Sequence, residues 1–137
     1  MCVLYRGDMP KRQVLEVPGV SHGQAPIPMG VKIGSMVFSS GIMGQDPETH
    51  SVPAGDAAKQ AEFMFQHVKT LVEAAGGTTD NVAHMTIFLK DNAYREHINR
   101  EWLKMFPDEH DRPARHTLLW DLPGQMLVQC EIVAVLD

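Results

Sequence analysis

Residues 55 to 75 place Ala57, Ala58, Ala61, Met64, Phe65, Val68, Leu71, Val72 and Ala75 at three- and four-residue steps. That spacing is one face of an amphipathic helix. Gly55-Asp56 supplies a capping carboxylate before it, and Gly76-Gly77 a left-handed stop after it. A helix with one apolar face must bury that face against a second layer, and strands flank it on both sides. Strands are expected at Gln13–Glu16, Gly30–Ile33, Met36–Ser40, His84–Lys90, His116–Trp120 and Leu127–Leu136, with a tight turn at Gly34-Ser35. A second helix is expected from about Ala93 to Phe106, where Tyr94, Ile98, Glu101, Trp102, Met105 and Phe106 share a face and Pro107 stops the run.

The order β, β, β, α, β, α, β, β predicts an α+β fold: a six-stranded mixed sheet with both helices on one face. The other face is left uncovered. In one possible register Val37, Ile87 and Val133 point to it and expose an apolar surface that a soluble monomer seldom tolerates, which predicts an oligomer. No internal repeat, low-complexity segment or linker divides the chain, so residues 1–137 are expected to form one domain. Met1 to Met9 is polar and irregular and reads as a loose arm or an upstream start.

With 137 residues, 44% of them hydrophobic, such a domain buries roughly two-thirds of its unfolded surface. The formal net charge is -5, from 12 Lys+Arg against 17 Asp+Glu, with no basic run interleaved with aromatics. Nucleic acid is therefore not an expected partner. No apolar run approaches the roughly 18 residues of a membrane span, so no membrane partner is expected either. Cys2 and Cys130 lie at opposite ends without metal-ligand or redox spacing, which suits a reduced, cytoplasmic protein.

Arg115 stands out in this acidic chain. It lies at the mouth of a predicted strand in Arg112-Pro-Ala-Arg-His-Thr-Leu-Leu-Trp-Asp121, and its planar fork of donors matches a carboxylate two bonds at a time. Two readings of it stand: an anchor for a small carboxylic acid, or a structural ion pair with Asp111 or Asp121. Seven histidines raise the question of a metal. Neither their spacing nor the arginines beside His110 and His116 suits a cation, and no metal site is expected. His67 and His97 are read as surface or interface positions, the nine methionines as core filler and subunit contacts, and Cys130 as a buried, inert thiol. Ser39-Ser40-Gly41 lacks the glycine pattern of a nucleophile elbow.

From about Pro10 to Leu136 the chain resembles the RidA (YjgF) family of reactive-intermediate deaminases. The resemblance rests on Val31-Lys-Ile-Gly-Ser-Met-Val-Phe-Ser-Ser-Gly41, Asp46-Pro-Glu-Thr49, Val72-Glu-Ala-Ala-Gly76, Thr86-Ile-Phe-Leu-Lys-Asp91 with Asn99 following, Pro113-Ala-Arg115, and Leu122-Pro123 ahead of the last strand. It implies a chorismate-mutase-like subunit, a homotrimer with sites between neighbouring subunits, and hydrolysis of 2-imino or 2-enamino acids to 2-keto acids and ammonia without metal or organic cofactor. Arg115 would hold the substrate carboxylate. Thr117 would stand near the reacting nitrogen and water, with Ser40, Gly41, Asn99 and His116 lining the pocket.

Three positions depart from the family pattern. Ile27 replaces an aromatic hydroxyl, and Thr117 replaces a cysteine. Gln129 stands where a glutamate is thought to orient or activate water. Glutamine positions a water but cannot take its proton, and a positioned base contributes ~10²–10⁴ in rate. Glu131, on the same strand face, is the alternative carboxylate. The competing functions are a non-catalytic trimeric module that binds 2-keto acids or related carboxylates, and a ribonuclease, which the acidic balance disfavours.

Overall fold

The computed structural model describes residues 10–137, so the expected arm of Met1 to Met9 lies outside the described residues. The elements are β1 (Gln13–Leu15), β2 (Gly30–Ile33), β3 (Met36–Ser39), β4 (Ile42–Met43), α1 (Ala57–Ala74), β5 (Val82–Leu89), α2 (Arg95–Met105), β6 (Ala114–Leu119) and β7 (Val128–Val135). Short 3-10 turns at Thr79–Asn81 and Asn92–Tyr94 precede β5 and α2. The Asp56 carboxylate caps α1 by accepting from the Lys59 amide, and Gly76 follows the helix at φ +94°. Gly34 turns the β2–β3 hairpin at φ +59°, a conformation only glycine adopts without strain.

Hydrogen bonding orders the sheet β1-β2-β3-β7-β5-β6, and β4 pairs with β7 beyond the end of β3. β5 and β6 are parallel, bridged by α2, and every other pair is antiparallel. A parallel pair needs such a crossover because its ends lie at opposite edges. The six expected strands are present, and β4 is an addition. It arises because Phe38 lies opposite Val133 while Ile42 lies opposite Cys130. Ser39, Ser40 and Gly41 thus face only Glu131 and Ile132, which is a β-bulge. The Ser39 hydroxyl accepts from the Ile132 amide at 2.8 Å and so replaces a ladder carbonyl, while the Ser40 amide donates to the Met29 carbonyl at 2.9 Å.

Both helices cover one face. Met85, Ile87 and Leu89 of β5 and Val128, Cys130, Ile132 and Ala134 of β7 pack with Ala61, Met64, Phe65, Val68, Leu71 and Val72 of α1 and with Ile98 and Trp102 of α2. Gly44 lies against the α1 backbone, where a Cβ would fall 2.1 Å from the Gln60 carbonyl oxygen. The Gln60 side chain is fully buried. Its amide donates to the Pro53 and Gln125 carbonyls at 2.8 and 3.0 Å and accepts from the Leu127 amide at 2.9 Å, tying α1 to the loop that enters β7.

The uncovered face exists, but its composition corrects the expectation. Val37 and Ile87 are completely buried on the helix side, and only Val133 of the three faces away. In His84-Met-Thr-Ile-Phe-Leu89 apolar residues fall on both faces, so alternation alone does not fix which set points inward. The ladder of paired residues Val14, Val31, Phe38 and Val133, with Ile33, Met36 and Val135 beside it, forms the apolar part of the open face. Phe38 is 38% exposed, Met36 40% and Val135 44%. Toward β5 and β6 the same face is mixed, with His84, Thr86, His116, Gln129 and Glu131 beside Phe88 and Leu118.

Candidate functional site

Strand alternation puts Arg115 and Thr117 on the helix side of the edge strand β6, under α2. The Arg115 Nε donates to Thr117 Oγ1 at 2.9 Å and one Nη to Asn99 Oδ1 at 2.8 Å. Its guanidinium carbon stands 5.0 Å from the centre of the Trp102 ring, within cation–π range. Three contacts from two elements thus fix the head of a flexible side chain. Trp102 itself packs edge-on against Phe106, with ring centres 4.8 Å apart.

No carboxylate among the described residues lies within 4.0 Å of Arg115. Asp121 pairs with Lys90 instead. Arg112 is occupied elsewhere, donating to the Phe106 and Pro107 carbonyls at the end of α2. The ion-pair reading of Arg115 is therefore not what the fold builds among these residues. Burial lowers the Arg115 pKa from its ordinary value, and repulsion from Arg95 lowers it further. A half-buried cation in this position, with donors still free, is suited to receiving an anion.

The remaining predicted residues lie elsewhere. Ser40 and Gly41 form the bulge, and Gln129 of β7 points to the open face beside it. A Cβ on Gly41 would fall 2.7 Å from Gln129 Nε2, so the glycine is what lets the amide lie over this strand. Gln129 Nε2 also approaches the Met126 sulfur at 3.8 Å. Ile27 is 49% exposed in the loop that leads to Met29. Glu131 shares the open face with Gln129, in a depression of about 200 Å³ lined by Phe38, Ser39, His84 and Thr86.

The structure thus gathers Arg115, Thr117 and Asn99 on one side of the sheet and Gln129 and Glu131 on the other. A single copy of the chain does not bring the two groups together. His116, expected in the pocket beside Arg115, pairs with Thr86 and faces the open side. Sequence reasoning missed Trp102 as the plate under the guanidinium, although its seven-residue spacing from Arg95 and three-residue spacing from Asn99 could have shown it on the β6-facing stripe. It also missed Ser39.

His67 corrects the surface reading. It is 3% exposed, and its Nε2 lies 2.6 Å from the Gln45 carbonyl. A carbonyl only accepts, so that nitrogen carries the proton. Burial lowers the His67 pKa, against smaller raising effects from that bond and from Asp46. Cys130 is fully buried in β7, and burial pushes its thiol pKa far up, so it is no nucleophile. No helix among the described residues is long and apolar enough to cross a membrane.

The two-helix, mixed-sheet fold thus sets an arginine with free donors at the β6 edge, under α2. The family model described as Endoribonuclease L-PSP matches residues 24–136, and the chain belongs to that family, to which the RidA (YjgF) proteins also belong. TdcF of Escherichia coli K12, which bears the name reactive intermediate deaminase, is 34% identical over 127 residues, covering 90% of this chain and 97% of its own. The solved structure of Escherichia coli TdcF with bound serine superposes with a TM-score of 0.81 at 30% identity, over 91% of this chain and 99% of that one. RidA from the Antarctic bacterium Psychrobacter sp. PAMC 21119 gives 0.82 at 28% identity, over 91% of this chain and 100% of that one.

Proposed function

We propose that this protein hydrolyses reactive 2-imino acids, of the 2-iminopropanoate and 2-iminobutanoate type, to 2-keto acids and ammonia. The observation that carries this is the Arg115 guanidinium, held by Asn99, Thr117 and Trp102 with no carboxylate partner among the described residues. Bound in two-point fashion, the substrate carboxylate leaves its imine carbon at a fixed distance from the β6 edge. Water adds to that carbon, a proton reaches the nitrogen, and the carbinolamine collapses with loss of ammonia. The names borne by the relatives support this chemistry.

Because Arg115 and Gln129 lie on opposite sides of one sheet, the complete site takes its anchor from one copy and its water-facing groups from the open face of another. Three copies arranged cyclically would cover the Phe38–Val133 ladder and build three such sites. In this arrangement Gln129 orients the water without accepting its proton, and Glu131 is the carboxylate on the same face.

The second reading is a trimeric module that binds 2-keto acids without turnover, and its argument is that Gln129 cannot take a proton from water. The family description names a ribonuclease, but a net charge of -5 supplies no groove to neutralise several phosphates. Decay of freshly generated 2-iminopropanoate decides between the first two: acceleration by the protein establishes the deaminase. Binding of 2-oxobutanoate without acceleration would establish the module.

A further inference from the structure

Arg95, Asn99 and Trp102 stand at positions i, i+4 and i+7 of α2 and so share one stripe of the helix. Asn99 and Trp102 both touch Arg115, which fixes that stripe as the one facing the edge of β6. Arg95 is its next member toward the helix N-terminus, about 6 Å along the axis from Asn99. Its side chain is half-buried along the surface rather than extended into solvent. The Arg95 Nε donates to Asn92 Oδ1 at 3.1 Å, which steadies the head and leaves both terminal nitrogens without a hydrogen-bond partner among the described residues.

The two guanidiniums feel each other. Repulsion from Arg95 is the second cause, after burial, of the lowered Arg115 pKa, and no carboxylate offsets it. The nearby acids are engaged elsewhere: Glu96 lies against His97, Glu101 against Arg100 and Lys104, and Asp91 caps the Ala93 amide. Like charges left together in a partly buried place are costly unless an anion bridges them. A monocarboxylate satisfies Arg115 and leaves Arg95 unmatched.

We infer that the preferred substrate carries a second anionic group: a 2-imino dicarboxylic acid, its α-carboxylate on Arg115 and its distal carboxylate on Arg95. This rests on the deaminase reading and narrows its substrate class. Arg95 discriminates between substrates and takes no part in the bond-making steps, since it lies a helical turn beyond the groups that hold the reacting end.

The test compares two ligands of equal chain length, 2-oxoglutarate and 2-oxopentanoate, by titration calorimetry at low salt. The corresponding imines are compared in the decay assay. The wild-type protein binds the diacid roughly tenfold more tightly, the scale of one solvent-touched charge-assisted hydrogen bond, and Arg95→Gln brings the ratio to about one. Lys69→Gln, an equal loss of charge on the exposed face of α1, keeps the ratio. Equal affinities in the wild type, or a diacid preference that survives Arg95→Gln, would overturn the inference. In either case, hydrolysis of 2-iminopentanoate would leave the deaminase reading standing. Failure to bind either keto acid and to hydrolyse either imine would remove both.

Discussion

Replacing Gln60 with leucine removes three hydrogen bonds while nearly preserving side-chain volume. The Pro53 carbonyl, the Gln125 carbonyl and the Leu127 amide would each lose their Gln60 partner in a part-buried setting. The Pro53 carbonyl keeps the Asp56 amide as a donor at 3.3 Å, so two groups are orphaned; at about 1 kcal/mol each, the low end of the usual range, the total is about 2 kcal/mol. For 137 residues the unfolding entropy at the midpoint is about 0.29 kcal/mol/K, and the expected fall in Tm is about 7 °C. The assay is thermal unfolding followed by circular dichroism, at one fixed protein concentration because self-association would add to apparent stability. A fall of less than about 3 °C would refute the reasoning, showing that the loop rehydrates these groups and that Gln60 does not hold it to α1.

Two glycines separate fold from site. Gly44→Ala drives a Cβ into the Gln60 backbone, which cannot yield, so this variant should be largely insoluble or lose most of its stability. Gly41→Ala meets only the end of the Gln129 side chain, which can swing away. Its Tm should stay within about 3 °C of wild type, a surface-scale change, while imine hydrolysis falls at least tenfold. Unchanged turnover in Gly41→Ala would remove Gln129 from the water site. His67 predicts a pH effect. Its folded pKa is depressed by burial, so as pH falls below the ordinary histidine value of 6.5 the unfolded chain takes up the proton first and stability is lost. His67→Gln should flatten this part of the profile, and chemical denaturation midpoints at neutral and mildly acidic pH measure the difference. Identical slopes in both proteins would place the proton uptake elsewhere.

Much of this fold can be read from local pattern. The α1 stripe, its Asp56 cap and Gly76 stop, the Gly34 hairpin and the Pro107 terminus are each decided within a few residues, and the elements fall close to where the pattern puts them. What the pattern leaves open is set by distant contacts. The β4 bulge depends on the Ser39 hydroxyl reaching the Ile132 amide, 93 residues away. The parity of β3 and β5 is ambiguous in the sequence because Phe38 and Phe88 place apolar side chains on the open face, next to buried Val37 and Ile87. His67 looks like a surface residue until the Gln45 carbonyl is brought over it. Arg115 is conspicuous in the sequence, but its separation from Gln129 by the thickness of a sheet becomes visible only when the β5–β6 and β5–β7 registers are known.

Decay of freshly generated 2-iminopropanoate, followed at equal concentrations of wild-type protein, Arg115→Ala and Arg115→Lys, tests the central claim most directly. Wild type should accelerate decay, Arg115→Ala should not, and Arg115→Lys should recover little, because an ammonium cannot replace the two-point fork. Circular dichroism should show that both variants remain folded. Full acceleration by Arg115→Ala would contradict the account, since the carboxylate anchor around which the site is built would then be dispensable.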